Sequence, residues 1–298
     1  IGMPQVIDSL LICLLTEGHA LLEGLPGLAK TTVVKALADG IEGSFHRIQF
    51  TPDLLPSDVM GTDVFIQQTG QFRFRSGPVF HNMVLADEIN RAPAKVQSAL
   101  LEAMAEKQVT VGEHSYPLPE LFLVLATQNP IEQEGTYPLP EAQLDRFMFK
   151  LKLDYPSYEE EVQIIERTTA RIDSSINVVM SNEQVVSLQD MVREIAVPKH
   201  CFEFAVKIVG LTRPNSDHAP ALTKQYLSWG AGPRASQNLI LGAKALALCE
   251  GRSSVERKDI QKMTKPVLRH RIIANYTAEA EGLTTDSLVE QLVEEHAK

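Results

Sequence analysis

Cysteine is scarce in this sequence, which has 298 residues and only Cys13, Cys201 and Cys249. An odd number at these spacings excludes a framework of paired disulfides and matches no metal-binding spacing. Because all three cysteines lie in apolar stretches, we expect them to be small core residues. Such low cysteine usage is typical of a reducing compartment, so we expect a cytoplasmic protein.

Long apolar runs and basic stretches are also missing. No run approaches the roughly 18 apolar residues of a membrane-spanning helix. The apolar N-terminal region carries Asp8 and Glu17 and lacks a basic start, so we do not interpret it as a signal peptide. The 38 acidic residues outnumber the 28 lysines and arginines, which gives a net charge of -10. Phosphate backbones require a basic stripe, so this balance argues against a nucleic-acid partner.

The first half of the chain alternates apolar strands with helical patterns. We predict strands at residues 19–24, 46–50, 83–88, 121–129 and 147–153, and helices at 31–40 and 93–107. Val96, Leu100 and Met104 mark the buried face of the second helix. This α/β alternation predicts a five-stranded parallel sheet with helices on both faces. Residues 63–75 and 108–118 alternate around turn residues and predict two inserted β-hairpins.

The pattern changes after Tyr155 and Pro156, where strand-like runs end and helical patterns dominate. We therefore expect an α/β core at residues 1–155, a linker at 156–181 and an all-helical domain at 182–298. A helix is predicted within the linker, near residues 158–172.

The segment EGLPGLAKTT, residues 23–32, follows the first strand and opens the first helix. It matches the phosphate-binding pattern G-x-x-x-x-G-K-[ST], except that Ala29 replaces the second glycine. Lys30 is expected to reach the β- and γ-phosphates of a nucleotide, and Thr31 to place its hydroxyl on Mg²⁺. Ala29 is acceptable there if its φ is negative at the helix entry, as we expect. The predicted binding residues are Gly24, Pro26, Gly27, Leu28, Ala29, Lys30, Thr31 and Thr32.

Two further strands end in polar residues. Asp87 and Glu88 follow the apolar run MVLA, at the sheet edge where ligands bind in parallel sheets. Asp87 is expected in the Mg²⁺ shell, and Glu88 is expected to polarise the attacking water. Asn129 ends the next strand and could orient that water or touch the γ-phosphate. The alternative is an asparagine that caps the turn before Pro130.

Two arginines are further candidates. Arg146, in LPEAQLDRF, could stabilise transition-state charge on a phosphoryl group, often in trans, or could form a surface ion pair. Spacing does not separate these readings. Arg234, in GAGPRAS, lies in the first turn of a helix that runs to about Cys249, where a cation opposes the helix dipole. A bound phosphate would relieve this conflict, and an arginine that extends into water is the alternative.

Together these segments resemble the MoxR family of AAA+ ATPases. The resemblance covers essentially the whole chain and is most specific at residues 85–147. It implies that the alanine before the loop lysine is a family feature. It also implies that Asn129 is sensor 1, Arg146 the arginine finger and Arg234 sensor 2, with cis or trans action of Arg234 left open. The two hairpins resemble the helix-2 insert and the pre-sensor-1 hairpin.

The resemblance further implies hydrolysis of ATP with Mg²⁺ in a homo-oligomeric ring, usually a hexamer. Family members are chaperone-like, mature client protein complexes and are often paired with von Willebrand factor A domain proteins. Gln49 and Arg91 are weaker candidates for sensing the γ-phosphate.

Three alternatives to this interpretation remain at the level of sequence. They are the motor subunit of a magnesium or cobalt chelatase, a slowly hydrolysing nucleotide-binding scaffold and a DNA-acting ring. The intact pair of Asp87 and Glu88 argues against the scaffold. The net charge of -10 argues against the ring on DNA.

Overall fold

The computed structural model describes residues 2–25, 27–130, 135–169 and 176–296. The chain forms two compact units, the first from Ile1–Leu139 and Leu151–Val186 and the second from residues 140–150 and 187–298. This division differs from the predicted one at both junctions. The backbone after the linker helix is tied to the first unit, because Val179 N donates to Gly40 O at 2.8 Å. Residues 140–150 group with the second unit, where several of their carbonyls accept hydrogen bonds.

The first unit is built around strands and two hairpins. Its strands are β1 (Ala20–Gly24), β2 (Phe45–Gln49), β3 (Gly61–Ile66), β4 (Gln71–Ser76), β5 (Met83–Asp87), β6 (Gln108–Val111), β7 (His114–Pro117), β8 (Leu123–Gln128) and β9 (Phe149–Leu153). Five of them form a sheet in the order β2-β5-β8-β1-β9. The pairs β2 with β5, β5 with β8 and β8 with β1 are all parallel. The predicted five-stranded parallel sheet is confirmed.

Burial along the strands follows their place in the sheet. All five residues of β5 are buried, and so are the first five of β8, because inner parallel strands are covered on both faces. At the edge of the sheet, β2 buries only Ile48. The central strands therefore supply the core, and their carboxyl ends supply the loops that face a ligand.

The helices of the first unit are α1 (Pro4–Leu15), α2 (Lys30–Gly40), α3 (Pro56–Met60), α4 (Ala94–Glu106) and α6 (Tyr158–Thr169). Helix α5 (Glu141–Leu144) belongs to the second unit. Val96, Leu100 and Met104 are buried on α4, as the periodicity predicts. No described helix is both long and apolar enough to traverse a bilayer.

Both predicted hairpins are present, β3 with β4 and β6 with β7, each antiparallel. Phe74 of the first stacks on Tyr116 of the second, with ring centroids 3.8 Å apart. Gly61, at the start of β3, has φ 97°, and a Cβ there would lie 2.4 Å from the carbonyl oxygen of Arg75. Only glycine fits this position, since a side chain would collide with the opposite strand.

The second unit contains helices and one short strand pair. After α5 its elements are α7 (Asn182–Glu194), α8 (Lys199–Leu211), α9 (Ala221–Tyr226), β10 (Leu227–Trp229), α10 (Pro233–Cys249), α11 (Arg257–Leu268), β11 (Ile273–Ala274), α12 (Tyr276–Ala280) and α13 (Thr285–His296). The antiparallel pair of β10 and β11 departs from the expectation of a purely helical domain. Strands of three and two residues are too short to show an alternating pattern.

Close helix packing forms the core of the second unit. A Cβ on Gly242 of α10 would lie 2.9 Å from Sδ of Met263 on α11, so these helices meet where one side chain is absent. Cys201 is buried in this unit and Cys13 in the first, and burial raises the pKa of both thiols. Cys249 is exposed, so the prediction that it is a core residue is wrong. It is the last residue of α10, where the helix leaves the core.

His19 connects three parts of the first unit from a buried position with 6% exposure. Its Nδ1 accepts a hydrogen bond from the backbone N of Val124 at 3.0 Å, and its Nε2 lies 3.4 Å from the carbonyl oxygen of Met104. The ring is therefore a neutral tautomer that accepts at Nδ1 and donates at Nε2. Burial lowers the pKa of His19 to about 4.

This buried imidazole predicts a loss of stability in acid. The unfolded chain binds a proton on His19 near pH 6.5, whereas the folded chain resists protonation until about pH 4, so stability falls as pH falls through this window. Between pH 7 and pH 5 the loss from this residue is about 2 kcal/mol. We expect His19→Asn, which keeps an acceptor for Val124, to lose about that much less in urea unfolding followed by circular dichroism. An equal loss in both proteins would contradict the prediction.

Candidate functional site

The site residues predicted in the first unit lie at the carboxyl edge of its sheet. The loop after β1 leads to Lys30, β2 ends at Gln49, β5 ends at Asp87 and β8 ends just before Asn129. Parallel strands place these ends along one edge, so four separate loops contribute to one site.

The loop between β1 and α2 is held by its backbone conformation. Gly27 has φ 84° and Ala29 has φ 53° and ψ 23°, both left-handed. The prediction of a negative φ at Ala29 is wrong, because Ala29 is the N-cap residue just outside α2 and does not share the right-handed backbone of the helix. A left-handed residue followed by a right-handed one turns successive amides to the same side, which forms an anion-binding concavity.

Gly24 serves this loop through its lack of a side chain. A Cβ on Gly24 would lie 2.9 Å from Cβ of Leu153, so the glycine allows β1 to pass close to β9. Leu28 is buried below the loop, and Thr31 and Thr32 lie in the first turn of α2. Pro26 lies outside the described residues. The N-terminus of α2 thus faces the loop with its unpaired amides, as phosphate sites require.

Lys30 reaches back across the loop. Its Nζ donates to the carbonyl oxygen of Gly24 at 2.6 Å. Partial burial lowers the pKa of Lys30, and the charges of Asp87 and Glu88 oppose that shift. The lysine therefore lies within electrostatic range of the acid pair.

Asp87 is held at both carboxylate oxygens. Oδ1 accepts from the hydroxyl of Thr127 at 2.5 Å, and Oδ2 accepts from Nε and Nη2 of Arg47 at 3.0 and 2.6 Å. Sequence reasoning did not single out Thr127 or Arg47. The available signals were a lone hydroxyl inside the apolar strand β8 and an arginine inside β2.

Glu88 has a left-handed backbone, with φ 58°, which turns its side chain away from the strand direction. Its backbone N donates to Oγ1 of Thr127 at 2.8 Å. Its Oε2 accepts from Nε2 of Gln49 at 3.0 Å and lies 3.1 Å from Nε of Arg91. The two weaker sequence candidates, Gln49 and Arg91, thus both contact the predicted catalytic carboxylate.

The loop after Glu88 is held by hydrogen bonds from Gln97, a residue of α4 that is 1% exposed. Its Nε2 donates to the carbonyl oxygens of Ile89 and Ala92 at 3.1 and 3.2 Å. An amide within the apolar face of α4 was the signal that could have identified it. Asn129 is also buried, directly after β8 and two residues beyond Thr127.

The two predicted arginines belong to the second unit. Arg146 is exposed and follows α5. Arg234 lies one residue after Pro233 at the start of α10, and its Nη1 is 3.1 Å from Oδ2 of Asp145. This carboxylate offsets the conflict between a cation and a helix N-terminus, a partner that the sequence alternatives did not include.

A loop with the pattern of a phosphate-binding loop after β1, an acid pair at the end of β5 and a mainly helical second unit are typical of ATPases with a lid domain. Residues 19–149 match the description "ATPase family associated with various cellular activities (AAA)", and residues 219–292 match "AAA lid domain". Within this class, the chain belongs to the MoxR family of AAA ATPases, whose members include chaperones.

The relatives match along nearly the whole chain. Chaperone MoxR1 of Mycobacterium tuberculosis is 43% identical over 294 residues, spanning 99% of this chain and 78% of that protein. Protein MoxR of Paracoccus denitrificans is 31% identical over 293 residues, spanning 91% of this chain and 84% of that protein. A solved structure from Cytophaga hutchinsonii superposes with a TM-score of 0.92 at 46% identity, covering 99% of this chain and 89% of that one.

The left-handed conformation of Ala29 predicts an unusual response to glycine. Ala29→Gly should raise the free energy of unfolding by about 0.5–1 kcal/mol, because a left-handed backbone costs alanine about 1–2 kcal/mol and the unfolded-state entropy of glycine offsets only part of it.

The matched control is Ala36→Gly inside α2, which should destabilise by about 1 kcal/mol. Both are measured by chemical denaturation. Equal destabilisation by the two substitutions would show that Ala29 is not left-handed in solution.

Proposed function

We propose that this protein hydrolyses ATP with Mg²⁺ and uses the energy for chaperone-like remodelling or maturation of a partner protein complex. The observation that carries the proposal is the charge arrangement at the sheet edge. A partly buried Lys30, which follows the left-handed residues Gly27 and Ala29, lies within electrostatic range of the Asp87 and Glu88 carboxylates. This combination suits a triphosphate on one side and an activated water on the other.

Binding of the phosphates falls to the loop and the start of α2. The loop amides and the helix N-terminus attract anions, and Lys30 supplies the positive charge. Its present acceptor, the carbonyl oxygen of Gly24, is neutral, so a phosphate oxygen would replace it with a stronger, charge-assisted hydrogen bond.

The oxygen donors of the site fit Mg²⁺. This ion prefers one or two protein ligands together with water and substrate phosphates. Thr31 and Asp87 are the residues that would hold it, and the described residues contain no cluster of three or more metal-binding side chains that would suit a transition metal better. When bound, the ion would neutralise charge on the phosphate oxygens.

Glu88 is the proposed base that accepts a proton from the attacking water. Gln49 and Arg91 both contact Oε2, so they fix the direction of the carboxylate. Thr127 fixes the backbone of the same residue. We assign to Asn129 the orientation of the water, since it follows the strand that carries Thr127.

We further propose that the active form is a homo-oligomeric ring, with a hexamer expected from the family. Arg146 of one subunit would complete the ATP site of its neighbour, and Arg234 would contact the phosphates in cis or in trans. A von Willebrand factor A domain protein and a client complex are the proposed partners. The similarity to Chaperone MoxR1 supports this chaperone role.

ATP binding and turnover should separate in two single variants. We expect Lys30→Ala to lose ATP affinity at least tenfold, because the main cation of the loop is gone. Glu88→Gln should bind ATP within about twofold of wild type and turn over about a hundredfold or more slowly, because only the base is lost. Fluorescent-nucleotide binding and phosphate release measure the two properties.

Two exposed residues provide matched controls, Lys35→Ala on α2 and Glu106→Gln on α4. Neither should change binding or turnover. Normal ATP affinity in Lys30→Ala would refute the binding site, and undiminished turnover in Glu88→Gln would refute the assigned base.

The position of the finger can be tested by mixing inactive subunits. Rings of Arg146→Ala alone and of Glu88→Gln alone should both be inactive. Mixed rings should recover part of the ATPase activity, because a normal Glu88 then meets a normal Arg146 across some interfaces. Recovery in proportion to the statistical number of intact interfaces supports trans action. Assembled mixed rings without any recovery would exclude it.

A further inference from the structure

The guanidinium of Arg271 forms hydrogen bonds to the backbone on both sides of Arg146. Arg271, in the turn after α11, has 1% of its side chain exposed. Its Nη2 donates to the carbonyl oxygens of Asp145 at 3.1 Å and Phe147 at 2.6 Å, and its Nη1 donates to that of Met148 at 3.1 Å. These carbonyls lie on both sides of Arg146 in the chain. One side chain therefore fixes the backbone directly before and after the proposed finger.

The remaining donors of Arg271 are also used. Nε donates to Oδ1 of Asp145 at 2.7 Å, and Nη1 also donates to the carbonyl oxygen of Val267 at 2.5 Å. A guanidinium has five N–H groups, and all five have an acceptor here. Because all five N–H donors are buried and hydrogen-bonded, the side chain has one favourable position, since any rotation would leave donors unpaired.

The charge of Arg271 is balanced by Asp145. Burial lowers the pKa of Arg271 to about 10, and the carboxylate of Asp145 opposes that shift, so the side chain stays protonated near neutral pH. The second oxygen of Asp145 holds Arg234 at 3.1 Å. The proposed finger and the proposed sensor 2 are thus anchored through the same buried arginine.

We propose that Arg271 is a positioning residue for Arg146 and affects ATP hydrolysis through it. The inference rests on the proposed function, in which Arg146 stabilises transition-state charge. It adds a residue to that function that touches neither the nucleotide loop nor the acid pair. A displacement of about 1 Å in a catalytic group can cost about a hundredfold in rate, so loss of the hydrogen bonds from Arg271 should reduce turnover strongly.

A neighbouring arginine provides the matched control. Nη1 of Arg269 donates to the carbonyl oxygen of Lys150 at 3.1 Å, and its Nε lies 3.0 Å from Asp286. Arg269 therefore binds the same chain segment, but at a residue four positions beyond Arg146. Its loss tests whether general anchoring of the segment is sufficient to explain an effect.

The decisive experiment is a double-mutant cycle on kcat and KM for ATP. We expect Arg271→Gln to lower kcat about tenfold to a hundredfold, with KM within about twofold, in the wild-type background. In the Arg146→Ala background the same substitution should lower kcat no further, because the group it positions is already missing. Arg269→Gln should change kcat less than about twofold. An equal decrease by Arg271→Gln in both backgrounds would overturn the proposal.

Mixed rings provide a readout that a misfolded subunit could not imitate. Arg271→Gln subunits should recover ATPase activity when they are mixed with Glu88→Gln subunits. They should recover no activity when they are mixed with Arg146→Ala subunits, because the Arg271→Gln and Arg146→Ala subunits both lack a working finger. If Arg271→Gln does not fold, Arg271→Lys replaces it in the kcat cycle. Arg271→Lys keeps a cation for Asp145 but lacks the planar guanidinium that binds several carbonyls at once, so kcat should still fall. A normal kcat in Arg271→Lys would refute the positioning role.

The controls separate this inference from the proposed function. Absence of ATPase activity in the wild-type ring would refute the function itself. Normal wild-type turnover that depends on Arg146 but not on Arg271 would refute only the positioning role. Turnover that does not depend on Arg146 would refute the finger and the positioning role together.

Discussion

The pairing of β5 with β8 is the interaction on which the candidate site depends. It places the hydroxyl of Thr127 where it donates to Asp87 and accepts from the backbone of Glu88. A single buried hydroxyl thus sets the orientation of the proposed metal ligand and of the backbone that carries the proposed base. Because both strands are fully packed, neither can shift without loss of core contacts. The tight packing of the sheet therefore fixes the residues of the proposed site at its edge.

Carboxylates beside arginines recur at the proposed functional positions of both units. Asp87 pairs with Arg47, Glu88 with Arg91, and Asp145 with both Arg234 and Arg271. The arginines of the first three pairs are partly exposed, and an ion pair with an exposed partner contributes little to stability, about 0–1 kcal/mol. In the proposed function, these arginines can therefore exchange partners when a phosphate binds. The pair of Asp145 and Arg271 differs, because Arg271 is buried and fully hydrogen-bonded. It is suited to hold a segment in place, whereas the exposed pairs are suited to respond to charge.

Local patterns were sufficient for the five-stranded sheet and both hairpins of the first unit. The apolar runs MVLA and LVLA predicted the central strands, and alternation around a glycine turn predicted both hairpins. Three features were out of reach for physical reasons. The left-handed φ of Ala29 belongs to the loop conformation just before α2, and an alanine gives no local signal for such a conformation. The strands β10 and β11 are too short for a pattern. The exposure of Cys249 follows from the end of α10 and not from its apolar neighbours.

The sequence by itself determined which residues are candidates for the phosphate loop, the acid pair and the two arginines, because these candidates depend on residue type and spacing along the chain. Only the tertiary structure decided which charges meet. Arg47 and Asp87 are 40 positions apart, and Arg271 and Asp145 are 126 apart. Such pairs form when strands and turns that are distant in sequence are packed together. No local pattern encodes them, because hydrogen bonds of this kind depend on distances of about 3 Å that the complete fold sets.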